Sequence, residues 1–316
     1  MSAAEATAQS APARKERKIG VGLMVAIGLL VLVGLALILL AIFGSAGENE
    51  AFQPQEEFRL EPWVSIEIGG IDLSINKAVL YLWIAAALTI GGMTWLSRRM
   101  QLRPDRVQAA LEMGYGLTRS IAGNNMDARY AAKWFPFIAT LFFFIWISNL
   151  IGYVPLPTNT AHPVEIFGVE VPALALYAAT ANISVPLVLT LIVWFAYHVE
   201  GIRAKGFFPY LRSWIPAGVS GPAAAPIFLI EVISHFVRLI SLSVRLFANL
   251  LAGHLLILFM GGGLVVLLGL AALGVFTFPV AVVFFLFEVV LIATLQAFIF
   301  ATLASIYIGG ATADHH

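Results

Sequence analysis

Four charged side chains interrupt an apolar stretch of about a hundred residues near the C-terminal end of the chain. They are Glu231, Arg238, Arg245 and Glu288. In a lipid bilayer an ionisable group costs several kcal/mol unless it faces water or a partner, so each is a candidate for ion transport. Glu231 and Arg238 could instead extend their polar ends to the membrane surface. Arg245 lies in the middle of the stretch and is the strongest candidate.

Helical spacing brings the polar residues of this stretch onto one face. At about 100° per residue, five side chains lie within about 40° of Arg245: Glu231, Ser234, Arg238, Ser241 and Asn249. A polar stripe of this length is not typical of core packing. His254 lies nine residues after Arg245, on the opposite side of the helix and about 13 Å further along its axis. We therefore expect His254 to face the next helix, which carries Glu288 and Gln296.

The expected chemistry is a proton relay. Histidine changes its charge near neutral pH, so His254 and a neighbouring Glu288 could pass protons one at a time. Arg245 cannot lose its proton at any relevant pH. Its expected role is a fixed positive charge, which stabilises an ionised carboxylate on a partner and bars direct proton passage. The alternative for His254 is a hydrogen bond to a backbone carbonyl of the next helix, which would only hold the two helices together.

The composition identifies the class of protein. Of the 316 residues, 60% are hydrophobic and 11% are charged, and the mean hydropathy is +0.91, whereas a soluble domain carries about 25% charged residues. An ordinary soluble enzyme is therefore excluded. The net charge of zero provides no field to attract nucleic acid. Since the chain has no cysteine, no Walker-type glycine loop, no HExxH motif and no metal-ligand spacing, we expect no cofactor and no ATP hydrolysis by the chain itself.

Six segments are apolar and long enough to cross a bilayer, which takes about 20 residues. They cover about 19–43, 75–96, 134–155, 179–196, 222–272 and 279–308. The turn between the last two is expected at Gly274 to Pro279, since glycine permits a chain reversal and proline suits the first turn of a helix. The fifth segment would measure roughly 75 Å as a straight helix, so it must tilt, bend or break at the glycine triplet 261–263. The sequence thus predicts an all-α polytopic membrane protein whose last two helices are long and strongly tilted.

Loop charges orient the six segments. The loop 98–130 holds six arginines against three acids, and 199–213 holds three bases against one acid, whereas 45–77 and 156–178 are acidic. Because positive charge accumulates on the cytoplasmic side, both termini are expected in the cytoplasm. The chain then divides into a basic cytoplasmic tail (1–18), a first helix (19–44), an external loop (45–74) and a membrane domain (75–316).

Two segments keep alternative interpretations. The basic tail, the apolar run after it and the small residues Gly44 to Ala46 also describe a signal peptide with its cleavage site, although the apolar run is longer than usual. Residues 103–123 are expected to form an amphipathic helix at the cytoplasmic surface. A solvated connector is the alternative for this second segment.

Four segments resemble one known family. Residues 231–254, EVISHFVRLISLSVRLFANLLAGH, resemble the central signature of subunit a of the F-type ATP synthase, and residues 295–300, LQAFIF, resemble its second signature. Residues 148–155, SNLIGYVP, and 180–186, TANISVP, are similar to its third and fourth helices. The resemblance covers about residues 75–310.

The resemblance implies a function. Subunit a is a non-catalytic stator subunit in the bacterial plasma membrane. It conducts protons through two half-channels to and from carboxylates of a rotating c-ring, which couples the proton-motive force to ATP synthesis. The implied partners are the c-ring, the b-type subunits of the peripheral stalk and membrane lipid, but no nucleic acid.

The resemblance also assigns site residues by position. The essential arginine of the family corresponds to Arg245, and further signature positions correspond to Asn249, His254 and Gln296. Glu231 and Ser234 fall where the family lines its cytoplasmic half-channel. Glu288 is the acidic residue of the last helix, but it lies eight residues before Gln296 where the family spacing is seven. Eight residues place Glu288 and Gln296 about 80° apart on a regular α-helix.

Two other classes of protein remain as alternatives. One is a secondary transporter or ion channel, with Arg245, His254 and Glu288 along its substrate pathway. The other is a membrane scaffold whose polar stripe only packs against another subunit. Proton conduction by the chain alone would favour the first, and a working assembly without the arginine would favour the second.

Overall fold

The computed structural model describes isolated positions between 22 and 38, and residues 58–166, 169–216, 219, 221–263 and 274–313. The predicted tail 1–18 lies outside these residues, as does almost all of the predicted first helix. The start of the external loop and the end of the fifth predicted segment lie outside them as well. The interpretations of those parts, including the signal peptide, stay predictions.

The described residues form helices and two antiparallel hairpins. The α-helices are α1 (Lys77–Arg99), α2 (Arg106–Asn125), α3 (Ala128–Ile151), α4 (Ser184–Lys205), α5 (Phe207–Arg212), α6 (Ala224–Leu258), α7 (Gly274–Phe287) and α8 (Ala293–Thr312). Within the described residues, five stretches are long and apolar enough to cross a membrane: α1, α3, α4, Gly221–Gly263 around α6, and Thr277–Thr312 from α7 to α8. The predicted all-α membrane fold is confirmed.

Several predicted helix ends are wrong. The fourth segment was expected from residue 179, but Ala179–Ala181 forms a 3₁₀ turn and α4 begins only at Ser184. At its other end α4 continues to Lys205, because charged residues end an apolar run without ending a helix. The turn expected from Gly274 to Pro279 is also misplaced, since both residues already belong to α7. Pro279 therefore lies inside the described part of α7, where its missing N–H removes one backbone hydrogen bond.

The described part of the fifth predicted segment, up to residue 263, is one long helix that changes its geometry at the glycine triplet. The α-helical part, α6, has 35 residues, which corresponds to about 52 Å. It continues into a π-helical turn at Phe259–Gly263, where the triplet lies. Since the hydrocarbon core is only about 30 Å thick, a helix of this length fits the bilayer by lying obliquely.

The two hairpins of the described residues were not predicted. Strands β1 (Glu67–Ile68) and β2 (Ile71–Asp72) pair antiparallel before α1. Strands β3 (Leu156–Ile166) and β4 (Val169–Ala175) pair antiparallel between α3 and α4. A search for long apolar runs cannot detect such short paired strands, because it treats them as loops.

The segment expected as an amphipathic helix is confirmed as a helix, α2. Asp105 caps its first turn, because Oδ1 accepts a hydrogen bond of 2.7 Å from the backbone N–H of Gln108. The helix packs against α3 and α8. The hydroxyl of Ser305 in α8 donates to the backbone carbonyl of Ile121 in α2 at 3.1 Å.

The core lies where α2, α3, α4, α6 and α8 meet. Its fully buried side chains include Ile138, Phe143, Ile145, Val193, Leu246, Phe300 and Ile308. Gly309 of α8 lies so close to α2 that a Cβ there would overlap the backbone carbonyl oxygen of Asn125. The absence of a side chain at Gly309 therefore allows α8 to lie directly against the end of α2.

Replacing Gly309 tests this close packing. We expect Gly309→Val to lower the free energy of unfolding by about 1–3 kcal/mol or more, because the backbone of α2 cannot move aside as a flexible side chain would. Gly310→Val is the matched control, since a Cβ at Gly310 has nothing within 4 Å. Thermal unfolding of the detergent-solubilised chain, followed by tryptophan fluorescence, measures both. Equal stability of the two variants would contradict the packing described here.

Candidate functional site

Arg245 lies on the surface of α6, between two polar regions of the chain. Its side chain is exposed, as are those of Ser241 and Asn249 on the same stripe. It lines an apolar groove of about 350 Å³ with Val237, Ile240, Ser241 and Val244. Within the part of the chain that the structure describes, Arg245 has no ion-pair partner. The guanidinium therefore faces outward, toward whatever covers this face of α6.

His254 lies at the far end of α6 and is 1% exposed. Its Nδ1 lies 2.9 Å from the carbonyl oxygen of Leu250, and its Nε2 lies 3.2 Å from that of Gly152. A neutral imidazole has one N–H and can donate to only one of these carbonyls, whereas a protonated ring can donate to both. The two carbonyl oxygens could therefore accept from both N–H groups of a protonated His254 ring. The expected contact with the next helix is replaced by one with the residues that follow α3.

Tyr153 connects His254 to Glu288. The tyrosine and histidine rings stack, with centroids 4.5 Å apart and an angle of 24° between their planes. The hydroxyl of Tyr153 donates to Oε2 of Glu288 at 3.1 Å. All three side chains are buried. We call Tyr153, His254 and Glu288 the His254 cluster.

Gly253 makes room for the carboxyl group of Glu288. A Cβ at position 253 would overlap the carboxyl atoms of Glu288. The glycine before His254 thus allows the carboxyl group to lie directly against the backbone of α6. This contact brings α6 and the helix that carries Glu288 together at the cluster.

A π-helical turn corrects the spacing between Glu288 and Gln296. Residues Glu288–Ile292 form this turn, and the N–H of Ala293 donates to the carbonyl of Glu288. Because a π turn holds one more residue than an α turn, the extra residue is absorbed there. The angle of about 80° expected from a regular α-helix is therefore wrong, and the two side chains share a face. Both are buried, Glu288 at 7% and Gln296 at 3% exposure.

The two other signature segments contact each other beside this turn. The hydroxyl of Thr180 donates to Oδ1 of Asn149 at 2.8 Å, and Nδ2 of Asn149 donates to the carbonyl of Ala293 at 3.3 Å. Nε1 of Trp146 donates to the hydroxyl of Thr294 at 3.0 Å. These hydrogen bonds attach α3 to the junction between the π turn and α8.

A second polar region lies toward the start of α6. A cavity of about 660 Å³ is lined there by residues of α4, α5, α6 and α8. Its charged or titratable residues from α6 are Glu231, His235 and Arg238. Nη2 of Arg238 donates to Oε1 of Glu231 at 3.1 Å, and Nε2 of His235 lies 3.9 Å from the same oxygen. We call this the Glu231 cavity.

Two hydrogen-bonded tyrosine–histidine pairs lie at the Glu231 cavity, which Tyr197, Tyr210 and His235 line. The hydroxyl of Tyr197 lies 2.8 Å from Nδ1 of His235, and the hydroxyl of Tyr210 lies 2.8 Å from Nδ1 of His198. The two imidazole rings are 4.8 Å apart. Burial raises the pKa of Tyr210 to about 12, so its phenol keeps its proton at neutral pH.

The structure separates the predicted site residues into three places. Arg245 and Asn249 are on the exposed face of α6, His254 and Glu288 are in the His254 cluster, and Glu231 is in the Glu231 cavity. Ser234 does not line that cavity; its neighbour His235 does. Sequence reasoning missed His235 and Tyr153, although Tyr153 lies inside the signature segment 148–155. Across the described ranges, no group of three His, Cys, Asp or Glu side chains could hold a metal ion.

Comparison with known proteins identifies the family. The family model described as ATP synthase A chain matches residues 79–309. Subunit a of the ATP synthase of Rubrobacter xylanophilus is 37% identical over 251 residues, which is 78% of this chain and 88% of that protein. The corresponding subunit of Hyphomonas neptunium is 34% identical over 84% of this chain and 98% of its own length. That of Brucella ovis is 32% identical over 84% of this chain and all of its own length. The chain therefore belongs to the ATP synthase subunit a family and is a membrane subunit of the proton-translocating Fo sector.

Proposed function

We propose that the chain conducts protons along two separate half-channels, one at the His254 cluster and one at the Glu231 cavity, to and from carboxylates of a rotating c-ring. The observation that carries the proposal is the position of Arg245, exposed on α6 between these two polar regions. The chain itself performs no catalysis. It couples the proton-motive force to ATP synthesis through the rotation of the c-ring.

Distances along α6 support two half-channels instead of one continuous channel. Glu231 is 14 residues before Arg245 and His254 is nine residues after it, which corresponds to about 21 Å and about 13 Å along the axis. The residues that line the groove around Arg245 are mainly apolar. Among the described residues no chain of side-chain hydrogen bonds links the two polar regions past Arg245, so a proton that enters at one end must leave the chain to continue.

The groove at Arg245 is the proposed contact with the c-ring. An exposed guanidinium on an apolar helix face is costly in the membrane unless an opposite charge arrives. A carboxylate on the c-ring would be stabilised in its ionised state by Arg245 and would be protonated again once it has moved on. Arg245 stays charged throughout and prevents protons from passing directly between the half-channels.

The His254 cluster is the proposed half-channel on the non-cytoplasmic side. His254 can take up a proton without breaking a contact, because both of its ring nitrogens already face carbonyl oxygens. Tyr153 joins the ring to the carboxyl group of Glu288. Gln296 lies on the same face as Glu288, further along the helix toward the cytoplasm.

The Glu231 cavity is the proposed half-channel on the cytoplasmic side. Its volume of about 660 Å³ has room for many water molecules at about 30 Å³ each. Glu231, which pairs with Arg238, and His235 are the protonatable groups on its α6 wall. Ser234, which resembles a lining residue of the family, has a lesser role in this arrangement because His235 occupies the wall.

The proposed orientation follows the loop charges. The ends of α3 and α4 that carry Arg129 and Arg203 face the cytoplasm, and both termini lie there. The membrane is the bacterial plasma membrane, and the peripheral-stalk b-type subunits are further partners. The hairpin formed by β3 and β4 then lies outside the cell.

Replacing Arg245 tests the central charge. We expect Arg245→Ala to leave the chain inserted and assembled but to abolish ATP-driven proton pumping, because no group stabilises the arriving carboxylate. Arg245→Lys should also fail largely, since an ammonium group lacks the planar fork of a guanidinium. Arg119→Ala, which removes an exposed charge elsewhere, is the control. Pumping by either Arg245 variant at the rate of the control would refute the mechanism and favour a scaffold.

Three variants test the His254 cluster. His254→Leu and Glu288→Gln should slow proton pumping, most when the proton concentration outside is low, because the loading of the c-ring is then limiting. Tyr153→Phe keeps the ring stack but loses the hydrogen bond to Glu288, so it should shift the apparent pKa of the transport rate. Pumping against pH, normalised to the assembled enzyme, is the measurement.

Tyr115→Phe is the matched control for Tyr153→Phe, since it removes a hydroxyl from a tyrosine that is 47% exposed. A cluster that serves only for packing predicts a different result. The variants would then reduce the amount of assembled complex, and the pH profile of the remaining enzyme would stay that of the wild type.

Single cysteines test the orientation, because the natural chain has none. Cysteines at Glu61 and Leu174 should react with a membrane-impermeant maleimide added outside the cell. Cysteines at Arg119 and Arg212 should react only when the reagent reaches the cytoplasm. All four positions are exposed, and the cysteine-free parent is the control. The reverse pattern at even one position would overturn the proposed orientation.

A further inference from the structure

A second polar cavity lies at the ends of α3 and α4 and shares no residue with the Glu231 cavity, the Arg245 groove or the His254 cluster. Its volume is about 250 Å³. It is lined by Arg129, Tyr130, Lys133, Glu200, Arg203 and Ala204. These residues occupy the first turns of α3 and the last turns of α4. Since both helices are membrane spans, the cavity lies at one surface of the bilayer.

The lining carries an excess of positive charge. Three cations and one carboxylate face the cavity, and Lys133 pairs with that carboxylate, Glu200. Arg129 and Arg203 are exposed and have no ion-pair partner among the residues that the structure describes. Two guanidinium groups are therefore free to bind an anion. Their planar fork matches the oxygens of a phosphate group.

Glu200 provides the second observation. Its side chain is 3% exposed, and Oε1 accepts the hydrogen bond from Lys133. Its other oxygen, Oε2, is buried and has no hydrogen-bond partner in the described part of the chain. An unsatisfied buried acceptor costs free energy. A ligand that brings a hydrogen-bond donor next to its phosphate would remove this cost.

The size of the cavity limits the ligand. A volume of about 250 Å³ corresponds to roughly eight water molecules at about 30 Å³ each. This is room for a phosphate group with a short polar arm, but not for an acyl chain. The acyl chains of a lipid would remain in the bilayer beside the helices.

We propose that this cavity binds the headgroup of a membrane phospholipid, with its phosphate on Arg129 and Arg203 and a hydroxyl or ammonium group donating to Glu200. Lys133 holds the Glu200 carboxylate in place through its ion pair. Basic recesses between membrane helices at the bilayer surface suit such headgroups. The site is independent of the proton pathway, so it stands whether or not the proposed function is correct.

Photoreactive lipid tests the site in the assembled complex. The complex is placed in vesicles of phosphatidylcholine that contain a small fraction of photoreactive phosphatidylglycerol, whose headgroup combines a phosphate with hydroxyl donors. Irradiation should label the peptides that contain Arg129 and Arg203. Unlabelled phosphatidylglycerol should compete. Additional phosphatidylcholine should compete poorly, because its trimethylammonium group has no donor for Glu200.

Two double variants that remove the same charge distinguish binding in the cavity from general attraction of the lipid to positive charge. Arg129→Gln with Arg203→Gln should lower labelling of these peptides about tenfold or more for each guanidinium removed, because the charged hydrogen bonds to the phosphate are lost. Arg119→Gln with Arg212→Gln removes the same charge from exposed positions outside the cavity and should keep most of the labelling. The competition measurement uses the wild-type chain, so the result does not depend on the folding of a variant.

Four outcomes would overturn the proposal. Equal loss of labelling in both double variants would mean diffuse attraction to the surface. If phosphatidylcholine competed as well as phosphatidylglycerol, a donor to Glu200 would not be needed for binding. Loss of labelling when inorganic phosphate is added at constant ionic strength would identify a soluble phosphate as the ligand. Labelling of the isolated full chain but not of the assembled complex would show that another subunit covers the cavity.

Discussion

The bilayer core supplies no water, so the polar groups of this chain must find partners inside the protein. Threonines of the spanning helices meet this demand locally: Thr89 and Thr190 each donate to the carbonyl four residues earlier, at 2.7 and 2.8 Å. Asn149 meets it across helices, through Thr180 and Ala293. A polar or charged group without such a partner therefore marks a surface where another molecule is expected to bind.

Arg245 is the clearest of these groups, because its charge is permanent and its helix face is apolar. The helix holds the guanidinium at a fixed distance from both ends, and the surrounding helices provide the polar groups at those ends. The polar contacts at each end of the helix extend over only a few residues. Tyr153 connects a histidine and a carboxyl group through one stack and one hydrogen bond, whereas no described contact continues toward Arg245. The division into two polar regions is thus a property of the packing around one helix.

The sequence was sufficient for the features that depend on composition and helical period. Apolar runs located five described spans, and the stripe on α6 needed only a regular helix between Glu231 and Asn249. Contacts between distant segments could not be read in this way. Tyr153 follows α3 and stacks on His254, which lies about a hundred residues later in the chain. His235, and not Ser234, lines the cavity that α4 and α5 help to form. The exact ends of helices also depended on packing, since charged residues such as Glu200 continue α4 beyond its apolar part.

The π turn at Glu288–Ile292 has a consequence for comparing members of the family. The turn accommodates one additional residue without rotating the helix on either side. An insertion at this point therefore leaves the same side chains on the buried face. If a second chain had its acidic residue seven positions before the glutamine, counting back from Gln296 would pair that residue with Val289. A gap placed within the turn restores Glu288 to that position. Homology assigned from residue numbers alone would thus lose the carboxyl group that the three-dimensional arrangement retains.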